Sequence, residues 1–294
     1  MQTSKLYFPL FTIIIFLACK NSKTEPIAIK TDSTKEIIET KQITTPIYKE
    51  CKTQTVELYG TKVDLKFPDT VKGYIMILPG WNFPRYDWCN QSTLCLKALK
   101  QGFALIMPEM GESIYATQFY PQSWDKMRKT LTRRWVTDTL IKYLQDSFGI
   151  MKPEQNNFIM GLSTGAHGSG LVVEDNPTLF KACALLSGDY DQRTLPMDLV
   201  FIATYGRYEQ FPARWQTDNV VTGLNNLNIP IFIGHGYQDP LIPISQSKML
   251  EQKLKVLHPQ QVIETSYLVG KHDYKFWELE TQPILTFFSS QISK

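Results

Sequence analysis

The chain has 294 residues, 43% of them hydrophobic and 20% charged, so it is long enough to bury a sizeable core and too apolar to be disordered. Its 31 Lys and Arg against 28 Asp and Glu leave a formal charge of +3, scattered rather than striped, which excludes a dedicated nucleic-acid binder. The five cysteines form no C-x-x-C pair and no ligand spacing with the four histidines, which excludes a zinc-built fold.

At the N-terminus one basic residue, Lys5, precedes an apolar run from Leu6 to Ala18. That run is shorter than the ~20 residues a bilayer span needs and has the flanks of a secretory signal. Phe16-Leu17-Ala18-Cys19 resembles the lipobox of bacterial lipoproteins. The resemblance implies a signal peptide over 1–18, cleavage before Cys19, and membrane attachment only through a lipid on that cysteine. Lys20 stands where inner-membrane retention would call for Asp, which favours the outer membrane. Residues 19–50 are rich in Lys, Thr, Ser and Glu without any sustained period, and read as a flexible tether.

From residue 51 onward the pattern alternates. Residues 55–58 and 62–67 predict two strands joined around Gly60, and 73–78 (GYIMIL) a strand covered on both faces. A helix is expected over 91–101, stopped by Gly102, then a buried strand over 103–107, then one long helix over 125–147. A strand over 157–160, a helix after Ser163 and a strand over 182–186 follow. The stretch 207–228 is mixed, and 195–228 matches no recognisable pattern. The chain closes with a strand over 230–234, a helix over 245–257, a strand over 262–269 and a helix over 274–290. Strands alternating with helices of this length predict an α/β fold: a mostly parallel sheet with helices on both faces, in one domain over 51–294.

Three strand ends carry the chemistry. Gly161-Leu162-Ser163-Thr164-Gly165 lies between a strand and a helix, the context in which a sharp turn thrusts a serine hydroxyl out over the sheet edge. A nucleophilic serine needs an acid and then a histidine downstream. His272 follows the last strand, whereas His258 lies in a helix-exit loop. Asp239 follows the strand before, in Gly234-His235-Gly236-Tyr237-Gln238-Asp239, with Asp189 and Asp191 as the other acids placed after a strand. An oxyanion hole is expected from the backbone N–H of Thr164 and that of Trp81, with Asn82 behind it. His167 and His235 read as structural, and Cys183 as a small buried hydrophobe. Setting Cys19 aside, four cysteines allow three pairings, and Cys89 and Cys95 are close enough in sequence to bridge beside the oxyanion loop.

These segments resemble the esterase-D-like esterase family, which includes feruloyl esterases, formylglutathione hydrolases and mycolyltransferases. Gly111-Glu112-Ser113-Ile114-Tyr115 is similar to the family's glycine-serine-tyrosine segment. The stretch from Gly161 through Leu186-Ser187-Gly188-Asp189-Tyr190-Asp191 is similar to its nucleophile turn, helix and next strand, and Gly270-Lys271-His272-Asp273-Tyr274 to its histidine loop. The resemblance covers residues 55–290 and implies an α/β-hydrolase fold with Ser163 as nucleophile, Asp239 as acid and His272 as base. It implies two-step ester hydrolysis without metal or organic cofactor. Two departures are that Pro79 replaces a histidine common before the oxyanion glycine, and Ala166 replaces the usual second glycine. Trp81, Trp88, Tyr115, Phe119, Tyr120 and Trp124 lie on loops at the catalytic edge, where they could wall a pocket for a flat or sugar-bearing ester or simply be core. The expected substrate is a small-molecule or glycan ester, such as an acetyl or feruloyl ester. The alternatives are a serine peptidase of the same fold and an inactive surface-binding lipoprotein.

Overall fold

The computed structural model describes residues 52–292; the signal, Cys19, the tether and Cys51 lie outside the described residues. In chain order, β1 (Lys52–Leu58) and β2 (Thr61–Phe67) form a hairpin, and β3 (Gly73–Leu78) leads through α1 (Asp87–Gln91) and α2 (Leu94–Lys100) to β4 (Phe103–Pro108). A π-helix over Trp135–Ile141 continues into α3 (Lys142–Phe148), followed by β5 (Asn157–Leu162), α4 (Thr164–Asp175) and β6 (Ala182–Leu186). After α5 (Leu199–Tyr205) and α6 (Pro212–Thr217) come β7 (Ile231–Gly236), α7 (Ser245–Leu257), β8 (Ile263–Leu268) and α8 (Tyr274–Ser290). The eight strands form one sheet in the order β1-β2-β4-β3-β5-β6-β7-β8. β1, β2 and β4 pair antiparallel, and every pair from β4 to β8 is parallel.

The buried runs explain the parallel core. On β3, Met76 and Leu78 point to one face with Ile159, Leu185 and Ile233, under Leu140, Val172 and Leu250. Ile75 and Ile77 point to the other with Met160, Ala184 and Leu186, under Trp277, Leu285 and Phe288. A strand sandwiched in this way is apolar at every position, because successive side chains enter different cores. A third cluster builds a cap: Phe201, Ala203, Tyr205 and Trp215 from the β6–β7 connection pack on Ile114, Ala116 and Met127 from the loop after β4.

Two helix boundaries differ from the sequence expectation. The helix expected over 91–101 is broken at Ser92, which is extended; its hydroxyl donates to Trp88 O (2.5 Å) and accepts from Leu94 N–H (3.2 Å). Such local side-chain bonding competes with helix continuation. The helix expected from residue 125 begins only after Thr132, and the preceding stretch holds a short 3₁₀ turn at Met127–Lys129. There the backbone is claimed by long-range partners: Trp124 N–H donates to Ala203 O (2.8 Å), and Ser113 Oγ to Leu131 O (2.6 Å).

Candidate active site

Ser163 joins β5 to α4 with φ 55° and ψ −128°, a strained conformation for a residue with a side chain. The glycines around it are dictated by contact distance. A Cβ on Gly161 would stand 2.1 Å from Gly165 O, and one on Gly165 2.2 Å from Leu78 O, so no larger residue fits either position. The Ser163 N–H is fixed by Leu186 O on β6 at 2.8 Å, and Ser163 and Thr164 remain partly exposed. As the first residue of α4, Thr164 offers an N–H with no partner inside the helix.

The loops after β7 and β8 are laid side by side beyond their strands, by Tyr237 N–H to Leu268 O (2.8 Å) and Gln238 N–H to Gly270 O (2.9 Å). This brings Asp239 against His272, whose Nδ1 lies 2.7 Å from Asp239 Oδ2. His272 is held just ahead of Asp273, the residue that caps α8, and its ring meets the Trp277 indole edge-on at 5.2 Å. The Trp277 Nε1–H donates to Ser187 Oγ (3.2 Å), and Ser187 follows the Leu186 whose carbonyl holds Ser163. The Ser163 loop and the His272 loop are thus joined through β6. Among the described residues no hydrogen bond links Ser163 Oγ to His272; such bonds are often long until substrate binds.

Asp239 is saturated with donors. Its Oδ1 accepts from Leu241 N–H and Ile242 N–H, both at 2.9 Å, while Oδ2 faces His272 and, at 3.4 Å, Nε2 of the fully buried His235. Burial opposes ionisation of Asp239. The bonds from His235 and His272, the His272 charge and the Ile242 N–H prevail, and the carboxyl is held well below the usual carboxylate range. His235 Nε2 also lies 2.9 Å from Ile242 O, so two acceptors face that nitrogen and it carries the proton, leaving Nδ1 to accept from Ser247 Oγ (2.7 Å). The sequence reading placed His235 in the core but missed its contact with the acid; the i,i+4 spacing from the strand end was the available signal.

The other candidates are committed elsewhere. Asp189 is fully buried, with Oδ2 accepting from Gln192 Nε2 (2.8 Å), and Asp191 is paired with Arg193 at 2.7 Å. His167 Nδ1 lies 2.8 Å from Asp189 O inside the core, and His258 Nε2 lies 2.7 Å from Leu224 O.

On the oxyanion side, Asn82 N–H is consumed by Gly111 O (2.7 Å), whereas Trp81 N–H has no intramolecular acceptor among the described residues. The loop is braced from outside by Tyr115 Oη–H to Pro79 O (2.7 Å) and by Arg85, which reaches Asp64 Oδ2 (3.0 Å) and Glu109 Oε2 (3.1 Å). Neither brace was foreseen. A Cys89–Cys95 disulfide ties α1 to α2 just beyond, and Cys183 is buried and free. Of the six aromatic rings, Tyr115 and Trp88 are core, Phe119 and Tyr120 pack on the cap, and Trp81 and Trp124 are exposed, at 37% and 57%.

Residues 90–288 match the family model described as "Putative esterase". The chain belongs to that family. It is a carboxylic ester hydrolase of the α/β-hydrolase fold. Similar solved structures include the fluorophosphonate-binding serine hydrolase F of Staphylococcus aureus (16% identity, 83% of this chain and 99% of that one, TM-score 0.64). An S-formylglutathione hydrolase from Agrobacterium tumefaciens is 14% identical over 82% of this chain and 94% of its own (TM-score 0.64). A ferulic acid esterase is 14% identical over 83% and 98% (TM-score 0.61). No curated protein sequence matches the chain. At these identities the structural neighbours establish the esterase's fold; its chemistry rests on the residues in place.

Proposed function

We propose that this esterase cleaves carboxylic esters by Ser-His-Asp acyl-enzyme chemistry, with Ser163 as nucleophile, His272 as base and Asp239 as the orienting acid. The supporting observation is the buried Asp239–His272 pair at 2.7 Å, set on loops that lead through Trp277 and β6 to the strained Ser163 turn. Asp239 accepts a hydrogen bond from His272 Nδ1–H, which leaves Nε2 unprotonated and able to accept the Ser163 proton as the hydroxyl attacks the ester carbonyl. The N–H groups of Trp81 and Thr164 hold the developing oxyanion; one such donor is worth about 10²–10³ in kcat. His272 then protonates the leaving alcohol, and water resolves the acyl-enzyme by the same steps in reverse.

The alcohol side of the substrate is a glycan in this reading. Trp81 and Trp124 offer exposed aromatic faces at the catalytic edge, and apolar rings with a polar tip suit acetylated or feruloylated sugars. The Cys89–Cys95 disulfide belongs to an oxidising compartment, in keeping with export and lipid attachment at Cys19. Detergent partitioning of the exported protein decides the anchor.

Labelling with a fluorophosphonate and turnover of nitrophenyl acetate test the mechanism. Both are expected to vanish in Ser163→Ala while the melting temperature stays within about 2 °C of the parent, because the lost hydroxyl is small and partly exposed. Substantial turnover by the purified variant overturns the assignment of Ser163. Faster cleavage of a peptide amide than of any ester shifts the reading to a peptidase.

A further inference from the structure

The catalytic edge of the sheet carries a second concavity beyond the residues described so far. It measures about 610 Å³ and lies between the tip of the β1–β2 hairpin and the loop leaving β4. That is within the range of small-ligand pockets. Tyr59, Thr61, Lys62, Lys126, Lys129 and Thr130 line it.

Three lysines and two glutamates line it, a small basic excess, and ion pairs take up both glutamates. Glu109 is engaged by Arg85 (3.1 Å) and Glu112 by Lys126 (2.8 Å), while Lys62 and Lys129 are exposed and make no ion pair among the described residues. With Glu57 the cross-strand partner of Lys62, Lys129 is the lining lysine left with no acidic neighbour in register or at ion-pair distance among the described residues, and Lys62 adds a second ammonium not held in an ion pair. At the rim, Tyr59 occupies the first position of a two-residue hairpin turn, with φ 50° followed by Gly60 at 79°. Such a turn favours Asn or Asp over a bulky ring, because both residues must take positive φ. The ring is nonetheless 87% exposed, so it is not there to fill a core. A strained, exposed aromatic beside unpaired lysines and two threonine hydroxyls is a surface that stacks on a sugar face and takes its acidic group.

The position relative to Ser163 sets the size of the ligand. β4 is two strands from β5, with β3 between them, which at ~4.8 Å per strand is about 10 Å. The loop that lines the cavity also holds the oxyanion loop, through Gly111 O and Asn82 N–H. A ligand that reaches both places must be a chain of sugars, not a small ester.

We propose that this concavity is a distal subsite for a carboxylate-bearing (uronate) glycan, the alcohol part of the ester cleaved at Ser163. The proposal rests on the hydrolase reading above, but its test measures binding alone. Equilibrium binding of an unesterified polygalacturonate oligomer and of a neutral xylo-oligosaccharide is compared by calorimetry on the full chain and two variants. The parent binds the acidic oligomer more tightly, and the preference weakens as added salt brings the screening length well below 10 Å. Lys62→Glu combined with Lys129→Glu loses ten-fold or more in affinity for the acidic oligomer, and Tyr59→Ala weakens both oligomers. Neither variant changes turnover of nitrophenyl acetate, whose small alcohol cannot span the distance. No binding of the acidic oligomer, or binding unchanged by the lysine reversals, overturns the subsite. Binding that behaves as described in a protein without fluorophosphonate labelling leaves the subsite standing and removes the hydrolytic mechanism instead.

Discussion

Glu280 offers a test of how the helix behind the histidine loop is held. It lies on α8, one turn beyond Trp277, and is fully buried against β7 and β8. Ser266 Oγ donates to its Oε1 at 2.8 Å, and Oε2 has no hydrogen-bond partner. Burial penalises the charged form and outweighs the Ser266 bond, so the carboxyl is pushed up from 4.5 to about 7. Between those two values the folded protein holds a proton that the unfolded chain has released. Stability therefore falls as pH rises from about 4.5 to 7 and levels off above. At 1.36 kcal/mol per pH unit the loss is roughly 3 kcal/mol. Glu280→Gln copies the shape of the protonated acid but cannot titrate. Its stability relative to the parent should rise by about 3 kcal/mol between pH 4 and pH 8.5, or ~6–12 °C in Tm for a domain of this size. Thermal and urea melts of both proteins across that range provide the measurement. Parallel pH profiles would show that Glu280 stays ionised in the fold, and the burial argument would fail.

Two further outcomes concern the acid. Asp239→Asn should lower kcat by about 10⁴ with the fold intact, because the amide leaves His272 in the wrong tautomer, while Asp191→Asn, whose partner is Arg193, stays within a few-fold; the reverse ranking in steady-state kinetics would move the acid to Asp191. His235→Leu withdraws one of the two ring N–H groups from Asp239 Oδ2 and should reduce kcat up to about 100-fold at unchanged KM, with His235→Gln restoring most of it; a loss confined to KM, or shared equally by Gln, would show that His235 only fills space.

Strands were legible in the sequence wherever burial on both faces makes them uniformly apolar, as in GYIMIL and FALIM. The Ser163 turn was legible because Gly161 and Gly165 have no sterically possible substitute there. What stayed hidden depends on contacts between distant segments. The stretch before Arg133 was read as helix because its apolar spacing fits one, but Arg128 Nε donates to Ser123 O (3.0 Å) and its guanidinium also reaches Pro121 O, which folds the segment into a loop under the cap. The five-residue step from Trp135 to Leu140 fits poorly with α-helical spacing and falls within the π-helix, a signal present in the sequence that the expected helix ignored. The cap itself, 195–228, is held by its Trp215-centred cluster and by Asp218, which accepts from Thr117 N–H (3.1 Å) and Oγ1 (2.5 Å). No local pattern encodes such pairings.

The two halves of the proposed site are built on different principles. Around the acid the orientation is local, although its partner His272 comes from the next strand's loop: Asp239 is held by N–H groups two and three residues ahead of it and by a histidine four residues behind it. The oxyanion half is assembled from remote segments, and strain marks where they meet. Among the six described non-glycine residues with positive φ, Asn82, Tyr115 and Ser163 lie at this junction. Tyr115 is the keystone. Its hydroxyl holds Pro79 O, and its ring lies so close to α4 that a Cβ on Gly168 would stand 2.4 Å from it. This arrangement also accounts for Pro79. A proline has no N–H to offer, but the position is used through its carbonyl, and a fixed φ stiffens the strand exit just ahead of Trp81. If Trp81 N–H acts as proposed, its preorganisation rests on Tyr115 and Arg85, and the oxyanion half should be the more sensitive to substitutions far from Ser163.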